Sequence, residues 1–378
     1  MSDDCPSIPA QSASPLILDG HKLLWHRERV ERWLAGERIA PITIDCALTQ
    51  ACNYRCVYCY GQLQRNRGRN LNLDVIRSFL DDCAEIGVKA ISFVSDGEST
   101  CSPHLYDAIL HGRHNGLDMA LGTNGFLLKE ERLVEILPAL TYLRFNISAA
   151  TPNRYAEIHG CDPASHARVL AVISAAVACK RKLNLPVTIG LQMVLLPQFS
   201  DQILPLAELG RELGVDYLVI KHCSDDEHGR LGVDYSGYEQ LAPLLVQAEA
   251  MSRDGYLVRA KWSKIMSQGK RCYAQCFGPP FILQLSGTGL VAPCGMFFHE
   301  DYKRFHIGNI ADTSFRKIWE SDRYWEVMNR IASPGFDART ECGTLCLQHK
   351  VNEFLWGLRH GETLAPAFGG PPPHVNFI

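Results

Sequence analysis

Between Ile42 and Met251 short apolar runs alternate with longer helical patterns, six times in succession. The runs at 42–48, 90–94, 119–123, 142–148, 187–194 and 217–220 have strand length. The stretches 73–86, 105–114, 129–137, 165–182, 201–213 and 238–251 carry helical spacing, and Gly87 stops the first of them. Strand–helix units in sequence predict an α/β fold, a parallel sheet with its helices outside. Right-handed crossovers curl such a sheet toward a barrel. Ligands then sit at the C-terminal ends of the strands.

The loop after the first run reads Cys52-Asn53-Tyr54-Arg55-Cys56-Val57-Tyr58-Cys59. Three thiols within eight residues are too close for each to be a separate core residue. Thiolates on a short loop can each hold a corner of an iron–sulfur cluster, and four-iron clusters normally take four. Three ligands leave one iron open to bind something else. A zinc knuckle wants paired Cys-x-x-Cys or a nearby histidine, whereas His26 and His104 are distant in sequence. Disulfides are unexpected in a chain with no secretory signal.

This spacing, with the aromatic Tyr58 directly before the last cysteine, resembles the radical S-adenosylmethionine enzymes. In that family the open iron chelates the amino and carboxylate groups of S-adenosylmethionine. Electron transfer then breaks the sulfonium C–S bond, and a 5′-deoxyadenosyl radical takes hydrogen from substrate. The resemblance runs from about Ile42 to Trp356. It implies a [4Fe–4S] cluster on Cys52, Cys56 and Cys59, bound S-adenosylmethionine, and an electron donor such as flavodoxin or ferredoxin. It also implies that residues 41–255 form a partial (β/α)6 TIM-like barrel.

Further positions follow from the same resemblance. Ser95-Asp96-Gly97-Glu98-Ser99 follows the second strand, where the family has a Gly-Gly-Glu-Pro-like stretch whose backbone meets the methionine amino group. Asp96 replaces the first glycine and Ser99 the proline, while Gly97 and Glu98 remain; read alone, the stretch is an ordinary turn. Ser148 ends the fourth strand, where a hydroxyl can reach the cofactor carboxylate. Met193 and Val194 end the fifth, beside the adenine or simply in the core. Tyr58 is placed with these cofactor-binding positions.

After the sixth helix the pattern changes. Residues 281–285 and 290–292 read as strands joined by a Gly287-Thr288-Gly289 turn, with Cys272 and Cys276 before them and Cys294 after. Cys342 and Cys346 follow a helical run at 314–331. The spacing from Cys276 through Gly289 to Cys294 resembles the SPASM and shortened twitch extensions of radical enzymes, as does Ile307-Gly308-Asn309-Ile310. Residues 256–360 are therefore expected to be a small hairpin-and-helix domain with a second, auxiliary [4Fe–4S] cluster. Its ligands are expected to be Cys276, Cys294, Cys342 and Cys346, with Cys272 spare or in place of Cys342. Four cysteines in two pairs also suit tetrahedral zinc.

With 378 residues, 46% hydrophobic and 21% charged, the composition is that of a soluble globular chain. A net charge of −3 gives no argument for nucleic-acid binding. No run of about 18 apolar residues suggests a membrane span. Met1–Ser14 is polar, without the pattern of a signal peptide. Fifteen cysteines point to a reducing compartment, hence a cytoplasmic enzyme. Arg65, Arg67 and Arg69 form a basic loop, read as solvated. Residues 1–40 are a preface with a helical pattern at 22–34. Residues 361–378 are a Pro/Gly-rich tail that is either free or laid over the barrel mouth.

The expected substrate is a small polar molecule such as a carbohydrate, aminoglycoside or nucleoside. Two outcomes follow hydrogen abstraction at a carbinol carbon. Oxidation passes an electron to the auxiliary cluster, and epimerisation returns a hydrogen from a thiol. Cys223 is the candidate donor, in the loop His222-Cys223-Ser224-Asp225-Asp226-Glu227 beyond the sixth strand. Glu227 is the candidate proton acceptor, with His222, Asp225 and Asp226 as further polar groups. Cys101 and Cys161 are weaker donors; Cys46, Cys83 and Cys179 read as core or helix residues. The alternatives are a peptide-modifying radical enzyme and a non-catalytic zinc or iron–sulfur protein.

Overall fold

The computed structural model describes residues 16–378; the Met1–Ser14 reading lies outside the described residues. One ten-stranded sheet organises the chain: β1 (Thr43–Cys46), β2 (Ala90–Phe93), β3 (Asp118–Thr123), β4 (Leu140–Asn146), β5 (Thr188–Leu195), β6 (Tyr217–His222), β7 (Leu257–Ala260), β8 (Ile282–Leu285), β9 (Leu290–Ala292) and β10 (Gly308–Asn309). The spatial order is β10-β9-β8-β1-β2-β3-β4-β5-β6-β7. Strands β1 to β7 pair in parallel with their sequence neighbours. The sheet does not close, and the result is a partial TIM-like barrel. β7 is a seventh parallel strand beyond the six legible in the sequence.

The helices are α1 (Arg27–Leu34), α2 (Leu73–Ile86), α3 (Leu105–His114), α4 (Leu133–Ile136), α5 (Pro152–His159), α6 (Ala164–Leu183), α7 (Ile203–Leu213), α8 (Ala242–Ala250), α9 (Trp262–Ile265), α10 (Phe315–Glu320), α11 (Asp322–Ile331) and α12 (His349–Arg359). Local chemistry sets their ends. Asn72 caps α2 by accepting from Val75 N–H, and Gly87 closes it at φ 94°. The run expected at 314–331 is two helices, because the Ser321 side chain accepts from Tyr324 N–H and starts α11 afresh.

Strand alternation divides the side chains between two faces. Ile44, Ile91, Leu121, Leu143 and Leu191 belong to the main hydrophobic core. The opposite face, lining the barrel lumen, carries Asp45, Ser92, Tyr142, Arg144, Asn146, Gln192 and Lys221. Their register follows from the pairs Asp45↔Ser92, Arg144↔Gly190, Asn146↔Gln192 and Val194↔Lys221.

Two features differ from expectation. The hairpin β8–β9 is joined to the barrel sheet, since β8 pairs in parallel with β1. The tail does not cross the mouth; it caps the opposite end. Phe377 packs with Ala90, Ala120 and Tyr142. Thr43 Oγ1 donates to Asn376 O (2.6 Å), Asn376 Nδ2 to Asp118 Oδ2 (2.8 Å), and His374 Nε2 lies 2.8 Å from Thr188 Oγ1. Those partners all begin strands, so the lumen is floored by the tail. No described helix is long and apolar enough to cross a membrane.

Candidate active site

The cysteine loop leaves β1 at the mouth and is held by the end of α5. Arg55 N–H donates to His159 O (3.1 Å) and Val57 N–H to Ile158 O (2.9 Å), which satisfies carbonyls a helix end leaves unpaired. Gly160, at φ 59°, permits this approach, since a Cβ there would lie 2.4 Å from Arg55 O. On the other side Gly97 and Gly287 press against the backbone that feeds the loop. A Cβ on Gly97 would lie 1.9 Å from Thr49 O, and one on Gly287 2.1 Å from Thr49 C.

His159 is a site residue the sequence reading missed. Its Nε2 accepts Ser148 N–H at 3.1 Å. Burial pushes its pKa down to about 3, so the ring is neutral and its proton sits on Nδ1. Nδ1 lies 3.3 Å from Cys56 Sγ and 3.4 Å from Tyr58 OH. Tyr54 N–H points at Cys52 Sγ (3.5 Å). Thiols met by N–H donors suit metal-bound thiolates.

Asp96 stands where the family has glycine, and its role is visible. Its carboxylate accepts from Gln50 Nε2 (2.8 Å), Ser286 Oγ (2.5 Å) and Gly287 N–H (2.9 Å), clamping the β8–β9 turn to the loop after β2. The Glu98 carboxylate is spent between loops, accepting from Thr100 N–H and Oγ1, Thr123 Oγ1 and Asn124 N–H. The buried hydroxyls of Ser95 and Ser99 have no hydrogen-bond partner. Ser148 Oγ accepts Val194 N–H at 3.1 Å. Met193 is completely buried and shares the outward face of β5 with Leu191, whereas Val194 is on the lumen face with Gln192.

Four of the five C-terminal cysteines line one enclosed cavity: Cys276, Cys294, Cys342 and Cys346, with Arg271, Phe297 and Asn352. Burial, then the charges of neighbouring thiols, pushes Cys276 and Cys294 up. Asn352 Nδ2 donates to Cys276 Sγ (3.4 Å) and Arg271 Nη2 to Cys342 Sγ (3.5 Å). Cys272 is not in that lining; its thiol points to Glu353 Oε1 at 3.8 Å. No disulfide joins any of the fourteen described cysteines.

The loop after β6 is braced against this cysteine cage. Ser224 Oγ donates to Leu345 O (2.7 Å) and Thr344 N–H to Asp225 O (2.8 Å). The carboxylates of Asp225 and Asp226 are buried and cap their own loop, Asp226 also pairing with Arg230. Glu227 accepts from Tyr302 OH. Cys223 is completely buried, its thiol turned to Tyr58 O (3.6 Å) and Ser224 O (3.5 Å). Burial pushes it up to about 12, so it keeps its hydrogen near neutrality.

The Radical SAM superfamily model matches residues 47–209, and the SPASM model, an iron–sulfur cluster-binding domain, matches residues 276–347. This chain is a radical S-adenosylmethionine protein with a C-terminal SPASM domain. Its cofactors are accordingly a [4Fe–4S] cluster, S-adenosylmethionine and an auxiliary cluster. Among curated proteins it is 29% identical to the AdoMet-dependent heme synthase of Methanosarcina barkeri, over 82% of this chain and 90% of that one. It is 22% identical to the tungsten-containing aldehyde ferredoxin oxidoreductase cofactor-modifying protein of Pyrococcus furiosus, covering 73% and 80%. Streptococcus suis SuiB bound to S-adenosylmethionine shares the fold at TM-score 0.62 and 16% identity, covering 81% and 72%. So does anSMEcpe with bound AdoMet, at TM-score 0.56 and 15% identity, covering 82% and 90%.

Proposed function

We propose that this radical enzyme dehydrogenates a small polar substrate at a carbinol carbon. When bound, the cluster and S-adenosylmethionine supply the radical chemistry that removes the first hydrogen. Cys52, Cys56 and Cys59 would hold that cluster, and the lumen beneath the mouth would hold the substrate. The loop from Ser95 to Ser99 and the end of β4 would seat the cofactor, with the unpartnered Ser95 hydroxyl as a further polar contact. Cys276, Cys294, Cys342 and Cys346 would hold the auxiliary cluster.

The observation that carries this reading is the cage of four cysteines around one cavity. A cluster with a thiolate on every iron has no open position, so it suits electron transfer and not substrate binding. Glu227, which accepts from Tyr302 OH, would take up the hydroxyl proton.

Anaerobic reconstitution tests the assignment. Wild-type protein should hold about eight irons and form 5′-deoxyadenosine only with reductant. Replacing Cys52, Cys56 and Cys59 together by alanine should leave about four irons and no deoxyadenosine. Cys294→Ala should lose the other four and still cleave S-adenosylmethionine. Stoichiometric zinc in the second site, or full deoxyadenosine production by the triple variant, would sink it.

A further inference from the structure

The lumen holds more positive charge than its acids can answer. Arg144 on β4 stands between two glycines in register, Gly122 on β3 and Gly190 on β5. A side chain at Gly122 would meet Arg144 Nη2 at 3.2 Å, and one at Gly190 would meet the Tyr217 ring at 2.1 Å. Gly122 thus leaves room for the guanidinium, and Gly190 for the neighbouring Tyr217 ring. Its Nε is buried with no hydrogen-bond partner.

Lys221 shares the lumen face, and Lys261 and Lys264 follow at β7 and α9. Ion pairs of described lysines fall on Lys180, Lys303 and Lys350, and none on these three. They are close enough to act on one another: Arg144 and Lys261 both help burial lower the pKa of Lys221 to about 8. The acids that face this group are Asp45 and Asp19, and Asp19 is bonded to Ser263 N–H and Oγ. Burial also favours the protonated form of Asp45. Unpaired buried charge is costly, and an anion from outside relieves it. The tail closes the floor, so such an anion enters from the mouth.

We propose that the barrel lumen is an anion-binding site in which Arg144 and Lys221 grip a carboxylate or phosphate group of the substrate. This rests on the reading that a small molecule occupies the lumen and narrows its class: cationic amino sugars are excluded, and acidic ones or phosphorylated nucleosides fit. A planar guanidinium with an unpartnered Nε–H suits either oxyanion, and Lys221 adds a point charge.

Calorimetric titration of full-length reconstituted protein tests it, with succinate as the carboxylate probe and inorganic phosphate as the phosphate probe. Sodium chloride at matched ionic strength and myo-inositol are the controls. At least one probe should bind where the controls do not, and the stronger probe names the class. Arg144→Gln and Lys221→Gln should each weaken binding about tenfold or more, the weight of one charge-assisted hydrogen bond. Above about pH 7, where Asp45 is ionised, Asp45→Asn should tighten it, a sign that a purely structural ion network does not give. If Arg144→Gln fails to fold, Lys221→Gln and Asp45→Asn decide. No binding beyond the controls overturns the proposal. So does binding unchanged in these variants, which would place the anion elsewhere, such as the surface groove of Arg27, Arg32 and Lys89. Deoxyadenosine formation without substrate is independent of this site, so loss of the radical reading would show separately.

Discussion

The ring of His159 joins Ser148 to Cys56: Nε2 takes the serine N–H, and Nδ1, carrying the ring proton, lies 3.3 Å from the Cys56 sulfur. A donor aimed at a cluster thiolate stabilises the reduced, more negative state. His159→Leu should therefore lower the reduction potential of the radical cluster. One charge-assisted hydrogen bond of about 1.4 kcal/mol corresponds to roughly 60 mV for a one-electron couple. An EPR-monitored redox titration reads this directly. His159→Gln, which keeps an N–H donor, should fall between; an unchanged potential in the leucine variant would remove the assignment.

The second relationship concerns assembly. Asp96 collects donors from Gln50, Ser286 and Gly287, so it ties the auxiliary hairpin to the barrel loop beside the radical site. Asp96→Ala strands Gly287 N–H in a buried setting, at about 1–3 kcal/mol, and leaves Ser286 Oγ only its bonds with Gln50, Asn66 and Thr288. The expected result is a lower Tm and auxiliary cluster loss on dilution. Asp96→Gly, the residue of the resembling motif, should be no better, because the lost acceptor is what matters. Wild-type stability in both variants would contradict the clamp.

The sequence made the strand–helix rhythm and both cysteine sets readable, because period and thiol spacing are local signals. It hid what depends on distant partners. His159 ends α5, a helix the strand–helix rhythm did not reveal, and only the fold brings it under the cysteine loop. The acidic loop 225–227 read as substrate-facing, yet Asp225 and Asp226 cap their own turn. The tail carried no period, so its docking on Thr43, Asp118 and Thr188 could not be seen. α12 was missed, although Asn352 on it serves both Phe277 N–H (2.6 Å) and the thiol of Cys276.

Asp45 makes stability depend on pH. Burial raises its carboxyl from 3.8 to about 7, against the opposing pull of Arg144 and Lys221. The native chain thus keeps the proton up to about pH 7, while the unfolded chain releases it near the ordinary value. The stabilisation is complete below that value, declines as pH rises, and is gone above about pH 7. The span from 3.8 to about 7 sets a ceiling of about 4 kcal/mol. Asp45→Asn should remove this term, so its Tm relative to wild type should climb between pH 5 and pH 8. A difference that stays constant across that range would rule the effect out.

Cys223 decides between oxidation and epimerisation. Its thiol keeps its hydrogen, as a donor to a carbon radical must. Yet the residue is completely buried and the thiol faces the carbonyls of Tyr58 and Ser224, not open lumen. That orientation favours its reading as a packing residue between the β6 loop and the radical loop. With the true substrate in deuterium oxide, oxidation should yield a product two hydrogens lighter, with no solvent deuterium at the reacting carbon. Cys223→Ala should retain that product, and its cavity should cost about 1–2 kcal/mol in stability, less than a large aliphatic truncation. Epimerisation would show the reverse: unchanged mass apart from one solvent deuterium, and no epimer from Cys223→Ala although deoxyadenosine still forms. Finding deuterium at that carbon would overturn the oxidative reading and return Cys223 to the catalytic set.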